Sequence, residues 1–448
     1  MAGTFPRDLQ YAKFSAYGFL KNLQFAEPFL VLFLLSHGVD YLEIGTLYAL
    51  RMIAVNLLEV PSGFAADAMG RRRTMLAAFG AYIASFGVFF AGRSFAAFVP
   101  AMLLFAVGEA FRTGTHKAMI MSYLASRGLL ELKSRYYGRT RSWSQLGSAL
   151  SALIAAAIVY SYSDYAPVFL FSIVPYALDA VLLASYPREL DRPPDAAAGG
   201  EGSSSAPGRG NAGPGNEERG DAGPANDGRG RRAWLRRMRE AFSEVGREIL
   251  RAARHPGTAR TVVNASLLGG FYKAAKDFLQ PLVLALSLSM PLFGDVAPIR
   301  RAALLIGVVY FLVYLSSSFA SRFSGAIAER IGPLERALNF ELALGLGVTA
   351  AAGLAHALGW SASAVVLFLL LFVVQNARRP LSVTFVSNAV SEDVQATALS
   401  VESQAQTLTG ALFVFAIGLI ADAAGGAIGI GLAVVSAAAL LAFPLYRA

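Results

Sequence analysis

Apolar stretches long enough for a helix to cross a bilayer recur along the chain, separated by short polar breaks. A crossing takes about 20 mostly apolar residues. Six stretches fall at 14–36, 43–66, 74–92, 95–123, 139–160 and 165–186. Six more fall at 258–288, 300–322, 335–355, 359–386, 395–420 and 425–446. The pattern predicts an all-α membrane protein with twelve transmembrane helices, numbered here as spans 1 to 12.

The material between the two sets has a different character. Residues 191–230, "DRPPDAAAGGEGSSSAPGRGNAGPGNEERGDAGPANDGRG", offer almost nothing to bury and read as a disordered linker. In 231–256, Trp234, Met238, Phe242, Val245, Ile249 and Ala252 recur at helical spacing on an otherwise arginine-rich segment. That pattern fits a basic amphipathic helix whose 231–254 stretch lies on anionic lipid head groups. A solvated helix resting on the protein's own loops fits it equally well. The chain thus divides into a six-helix bundle over 1–190, a linker, a basic helix and a second bundle over 257–448.

Composition supports the membrane reading. The chain is 55% hydrophobic and 15% charged, against about 25% charged in soluble domains. Its net charge of +9 sits between apolar runs, which points to lipid and topology and away from nucleic acid. No cysteine is present, so thiolate chemistry and disulfides are excluded. The N-terminal residues show no cleavable signal pattern. With the N-terminus inside, Arg71, Arg72, Arg73, Arg127, Lys133, Arg135, Arg322, Arg330 and Arg336 all fall in inner loops. Few basic residues besides Arg93, Arg300 and Arg301 fall outside. The expectation is a multi-pass protein of the cytoplasmic membrane with both termini cytoplasmic.

The two sets of spans share internal echoes. "SGFAADAMGRR" at 62–72 faces "SGAIAERIGPL" at 324–334, so Gly63, Asp67 and Gly70 match Gly325, Glu329 and Gly332 at an offset of 262. "EAFR" at 109–112 faces "NARR" at 376–379. Paired halves with a site between them at mid-depth are a common plan for secondary transporters. Twelve spans, a repeated set of six, a long central linker and G-x-x-x-D-x-x-G-R-R between spans 2 and 3 resemble the major facilitator superfamily. The resemblance implies two pseudo-symmetric six-helix bundles, no enzymatic activity, no cofactor and a monomer. It also implies that Gly63, Asp67, Gly70, Arg71 and Arg72 belong to a cytoplasmic gate, with a weaker copy at Gly325, Glu329 and Gly332. The second copy has Pro333 in place of the arginine pair. Span 5, "SWSQLGSALSALIAAAI", lacks the Gly-Pro motif of the family's drug–proton antiporters, a departure that weighs against multidrug efflux.

The gate motif has a physical reading of its own. Gly63 permits close helix approach, Gly70 suits a positive-φ turn, and Asp67 suits a helix N-terminus, with the start of span 11 as partner. The arginines anchor the loop or simply set topology.

Ionisable residues inside a membrane are costly and tend to be functional. Glu27 in span 1, Arg51 and Glu59 in span 2, Glu109, Arg112 and His116 in span 4, and Asp179 in span 6 are of this kind. So are Lys273, Lys276 and Asp277 in span 7, Arg378 and Arg379 in span 10, and Glu402 in span 11. Lys273 and Asp277, at i and i+4, read as a pair; Asp179 reads as paired with a neighbouring helix. Arg378 and Arg379 read as able to snorkel to the inner surface. By resemblance, spans 1, 4, 7 and 10 line the cavity. The candidate substrate and proton site is therefore Glu27, Arg51, Glu109, Arg112, Lys273, Asp277 and Glu402, with Glu27 and Glu109 first for protons. Arg112 and Lys273 favour an anionic or zwitterionic small molecule. The leading expectation is a proton-coupled secondary transporter of a small organic solute. An amphiphile, lipid or drug exporter on the same fold is the alternative. A sensor or membrane enzyme has little support, because no metal cluster, nucleotide loop or nucleophile–base set is visible.

Overall fold

Helices or broken helices occupy every one of the twelve segments. In the computed structural model the described residues are 8–191, 236, 256–290, 295–331, 333–388 and 395–442. The linker beyond Asp191, the basic helix apart from Arg236, Gly332 and the start of span 11 lie outside them. The side-chain surroundings of Asp67, Gly325 and Glu329 lie outside them as well. Nine helices among the described residues are long and apolar enough to cross a membrane. Spans 1 and 7 are interrupted midway, and span 12 is the shorter helix Ile428–Leu441.

Span 1 runs as Leu9–Lys21, then a 3₁₀ turn Glu27–Phe29, then Leu30–Ser36. Pro28 sits in the first turn after the break, where its missing N–H costs nothing. Span 7 repeats the device as Pro256–Ala275, a 3₁₀ turn Lys276–Phe278, and Leu279–Ser289. "FAEPFLVL" at 25–32 aligns with "FLQPLVLA" at 278–285, proline on proline, a third internal echo. Span 2 is Tyr41–Met69, opened by a capping box between Asp40 and Glu43. Span 3 is Arg71–Ala91 and span 4 is Phe95–Arg112 plus Thr115–Ser126, hinged at Gly114 with φ 83°. Span 5 is Lys133–Tyr162 and span 6 is Pro167–Ala184. Spans 8 to 11 are Pro298–Ile331, Leu334–Ala357, Ser361–Asn388 and Gln395–Ala423.

Packing follows a twofold plan. Span 1 packs on span 5 as span 7 packs on span 11. Spans 2 and 4 pair as 8 and 10 do, and spans 3 and 6 pair as 9 and 12 do. The most extensive contacts between the halves are span 2 with span 11 and span 5 with span 8. Large apolar side chains such as Leu57, Leu153, Val174, Leu312 and Leu412 are left on the outside, where lipid tails take the place of a core.

The crossings are tight toward the end of the molecule remote from Gly70. A Cβ on Gly45 of span 2 would lie 2.7 Å from the Val414 carbonyl of span 11, and a Cβ on Gly418 would overlap the Tyr41 carbonyl. A Cβ on Gly307 of span 8 would lie 2.5 Å from the Ala156 methyl of span 5. Arg300 donates to the Ser163 hydroxyl at 2.8 Å, also across the halves. Gln280 completes the seal. Its Nε2 donates to the Glu27 carbonyl at 2.9 Å and its Oε1 accepts from Val31 N at 2.8 Å. Glu27 and Val31 stand at i and i+4, the two groups that bond each other in an uninterrupted helix. The amide of one half is thus spliced into the helix ladder of the other.

Candidate functional site

The breaks in spans 1 and 7 bring charges together at mid-depth. Lys276 donates to Glu27 and to Asp277, each at 2.9 Å, and the Tyr314 hydroxyl lies 3.5 Å from Glu27. The Lys276–Glu27 pair joins the two halves. A second pair stays within the first half: Arg51 Nη2 and Nε meet the same Glu109 oxygen at 2.9 and 3.1 Å, and the guanidinium lies 4.3 Å over Phe105.

The expected pair between Lys273 and Asp277 does not form. The 3₁₀ turn at 276–278 advances about 3.0 residues per turn, so i and i+4 no longer share a face. Lys276 takes Asp277, and Lys273 donates to the Thr407 hydroxyl of span 11 at 3.1 Å. Lys276, one of the ionisable residues of span 7 but outside the candidate site, therefore joins that site here. The signal for it was its place beside Asp277 just ahead of a proline-containing turn.

Below this layer, toward the Gly70 end, the halves part around a set of adjoining cavities. The first, about 520 Å³, lies against the Gly70-side parts of spans 1, 4 and 5. Among the described residues its lining carries Lys21, Arg112, Lys117, Arg141 and Arg379 and no carboxylate. The second, about 440 Å³, lies against spans 7, 10 and 11, with Lys273, Arg379 and Glu402 on its wall. A space of about 220 Å³ beside Lys276 and Glu27 shares Arg379 with both. A small pocket of about 40 Å³ reaches Arg51 beyond them.

Individual residues sort out clearly. Arg112 donates through Nε to the Tyr82 hydroxyl at 3.2 Å and lines the first cavity. Glu402 accepts from its own-helix neighbour Gln406 and faces the second cavity. Arg378 does not snorkel. It is 1% exposed and is held by the Leu338 carbonyl and by the carbonyl and side-chain oxygens of Asn264. Arg379, its neighbour, faces the cavities. Asp179 is fully buried, and neither of its carboxylate oxygens has a hydrogen-bond partner among the described residues. His116 stacks on Tyr17 with ring centroids 3.6 Å apart, an interior histidine held by packing.

The 63–72 motif mainly ties the first half to itself. Gly70 has φ 91° and ends span 2. Asp191, beyond span 6, accepts from Arg72 N at 2.7 Å and caps the start of span 3. Arg71 donates to the Ser122 hydroxyl at 2.6 Å, and Arg72 donates to the Ala184 and Tyr186 carbonyls. Among the described residues, a Cβ on Gly63 would meet nothing within 4 Å.

Solved structures share the arrangement. A point mutant of the nucleoside transporter NupG superposes with a TM-score of 0.70 at 12% identity, covering 98% of this chain and 100% of that one. A POT family transporter in complex with 5-aminolevulinic acid gives 0.65 at 12% identity, covering 100% and 98%. A bacterial homolog of the lysosomal transporter Spinster, inward-facing and unoccupied, gives 0.66 at 14% identity, covering 99% and 96%. A search of curated proteins returns no match. The sequence model of the Major Facilitator Superfamily matches residues 17–414. This chain is a membrane transporter of the Major Facilitator Superfamily and not an enzyme.

Proposed function

We propose that the protein is a proton-coupled secondary transporter of a small organic anion, working by alternating access. The observation that carries the substrate class is the first cavity, where five cations and, among the described residues, no carboxylate face a space of about 520 Å³. Cations lining a cavity without counter-ions are costly inside a membrane protein, and an anionic solute offsets that cost when it binds. Arg112 offers a planar fork suited to a carboxylate or phosphate. The neighbours' solutes, nucleosides and 5-aminolevulinic acid, are small polar molecules, in keeping with this class. A lipid or amphiphile site calls for a more apolar wall than this one.

The described conformation reads as inward-facing, with the Gly70 end cytoplasmic in the plasma membrane. Rocking of the halves must separate Lys276 from Glu27, because the two sit on opposite halves. Once apart, Glu27 loses its cation and a proton takes its place. Arg51–Glu109 rides within one half, so Glu109 keeps its partner through the cycle. Proton coupling is therefore assigned to Glu27 ahead of Glu109. Asp277, Lys273, Arg51 and Glu402 complete the site. The gate role of Gly63, Asp67, Gly70 and the weaker copy at Gly325, Glu329 and Gly332 belongs to the outward-facing state.

The test is transport in proteoliposomes with a panel of carboxylates and phosphate esters preselected by thermal shift. Uptake should follow an imposed pH gradient and lose that dependence in Glu27→Gln, while Glu109→Gln keeps it in whatever folded fraction remains. Equal accumulation by Glu27→Gln under the same gradient overturns the coupling, and stabilisation by cationic or neutral solutes alone overturns the anion.

A further inference from the structure

Span 6 holds an acid that neither ion pair uses. One stripe of the helix, Leu170, Val174, Leu178 and Val181, is exposed, and the opposite stripe, Val168, Ser172, Tyr176, Asp179 and Leu183, is buried. Asp179 thus points into the first half's interior, with both oxygens unpartnered. Such a place favours the neutral acid, because an ionised carboxylate needs hydrogen bonds or a counter-ion there.

Two charges pull the other way. Among the described residues, Lys21 from span 1, which packs on span 6, and Arg112 from span 4 are the cations whose charge acts on Asp179. Tyr17 of span 1, Tyr176 of its own helix and Tyr186 just beyond it also feel its charge. Tyr82 of span 3 stands alongside, bonded to Arg112 and 5.1 Å from the Tyr176 ring. Among the described residues, span 5 adds no charge there. The same Lys21 and Arg112 line the cation-walled cavity.

We infer that Asp179 is a proton-binding site governed by Lys21 and Arg112, taking up a proton as an anion in the cavity neutralises those cations. The inference rests on the anionic reading of that cavity. Anion binding weakens the pull that ionises Asp179 and so holds the proton. By linkage, the proton on Asp179 leaves both cations free for the anion, and each favours the other equally. Spans 1, 4 and 6 belong to one half and move together. This proton therefore follows the cargo, whereas the Glu27 proton follows the conformation.

Infrared spectroscopy of the full chain in nanodiscs tests this through carboxylic-acid bands. Wild type should show a protonated-acid band that Asp179→Asn lacks. That band should persist to higher pH, by about one unit, in Lys21→Ala without any anion, and likewise in wild type with sulfate as the probe. The Lys21→Ala comparison stands even where Asp179→Asn fails to fold. No acid band lost in a folded Asp179→Asn, or a band whose pH range ignores Lys21→Ala, overturns the inference. A band moved by Lys21→Ala and not by sulfate supports Asp179 as a cation-governed site and counts against the anion as the cavity's occupant.

Discussion

The two halves differ most where their echoes align. Glu27 precedes Pro28 at the first break, and Gln280 precedes Pro281 at the second. At the offset that matches Gly63 with Gly325, Arg51 faces Val313. At the offset that matches Arg112 with Arg379, Glu109 faces Asn376. Three charged positions of the first half have neutral counterparts in the second. The amides do other work there: Gln280 bonds across the halves, and Asn376 donates to the Phe372 carbonyl of its own helix. The difference teaches a rule about moving interfaces. A carboxylate at both breaks would set like charges against each other at the seal, whereas an amide offers a donor and an acceptor with no charge to desolvate.

The largest effect should come from breaking the charged pair that the second half lacks. Glu109→Gln leaves Arg51 uncompensated in the interior. Loss of one partner of a buried pair costs about 3–5 kcal/mol. The side chains keep 24% and 31% exposure, so the lower end applies. The double variant Arg51→Val with Glu109→Asn transplants the second half's residues into the first. It should recover most of the lost thermal stability in detergent while transport stays impaired. A double variant no more stable than Glu109→Gln would show that the pair does not act as a unit.

Much of this machine is visible before any coordinates. Apolar run length alone places twelve segments, nine of which hold described helices long and apolar enough to cross a membrane, because hydrocarbon thickness sets their length, and the 62–72 and 324–334 echoes disclose the halves. Which charges meet is another matter. Lys276 takes Asp277 because a 3₁₀ turn resets the helical phase, and no spacing rule written for an α-helix anticipates that. Arg378 and Arg379 are chemically identical neighbours, yet one is locked on Asn264 and the other lines the cavities; the 100° between them on the helix decides it. The role of Asp191 as a cap for span 3 is equally hidden, since it depends on a contact spanning most of the first half. The proline alignment at the two breaks was in the sequence throughout and needed only a shorter window of comparison.

A smaller effect is expected from the glycine seal. Spans 2 and 11 meet glycine against backbone, while spans 5 and 8 meet glycine against the Ala156 methyl. Gly418→Leu should therefore disfavour the sealed state by about 1–3 kcal/mol, and Gly307→Ala by less, because it inserts a single methyl where leucine inserts a whole branched side chain. The chain has no cysteine, so spin labels can be placed on introduced cysteines at the far ends of spans 2 and 11 without removing any. The distance between them should lengthen in Gly418→Leu. An unchanged distance distribution would deny that these glycines set the closure.

The smallest shift, and the sharpest on the two breaks, concerns Gln280. Gln280→Leu removes the bonds to Glu27 and Val31, but those two groups can then bond each other along span 1, so the net loss should be near the ~1 kcal/mol of an ordinary hydrogen bond. Gln280→Glu is more informative, because it gives the second half the residue of the first. An ionised carboxylate accepts from Val31 N but has no proton to offer the Glu27 carbonyl, and it adds a like charge beside Glu27. A protonated one restores the donor and removes the charge. The far-end distance in Gln280→Glu should thus be long at neutral pH and shorten toward the wild-type value as pH falls, while Gln280→Leu shows no such pH dependence. If both variants respond to pH alike, the amide's neutrality is not what the seal requires, and the contrast between the two breaks loses its physical basis.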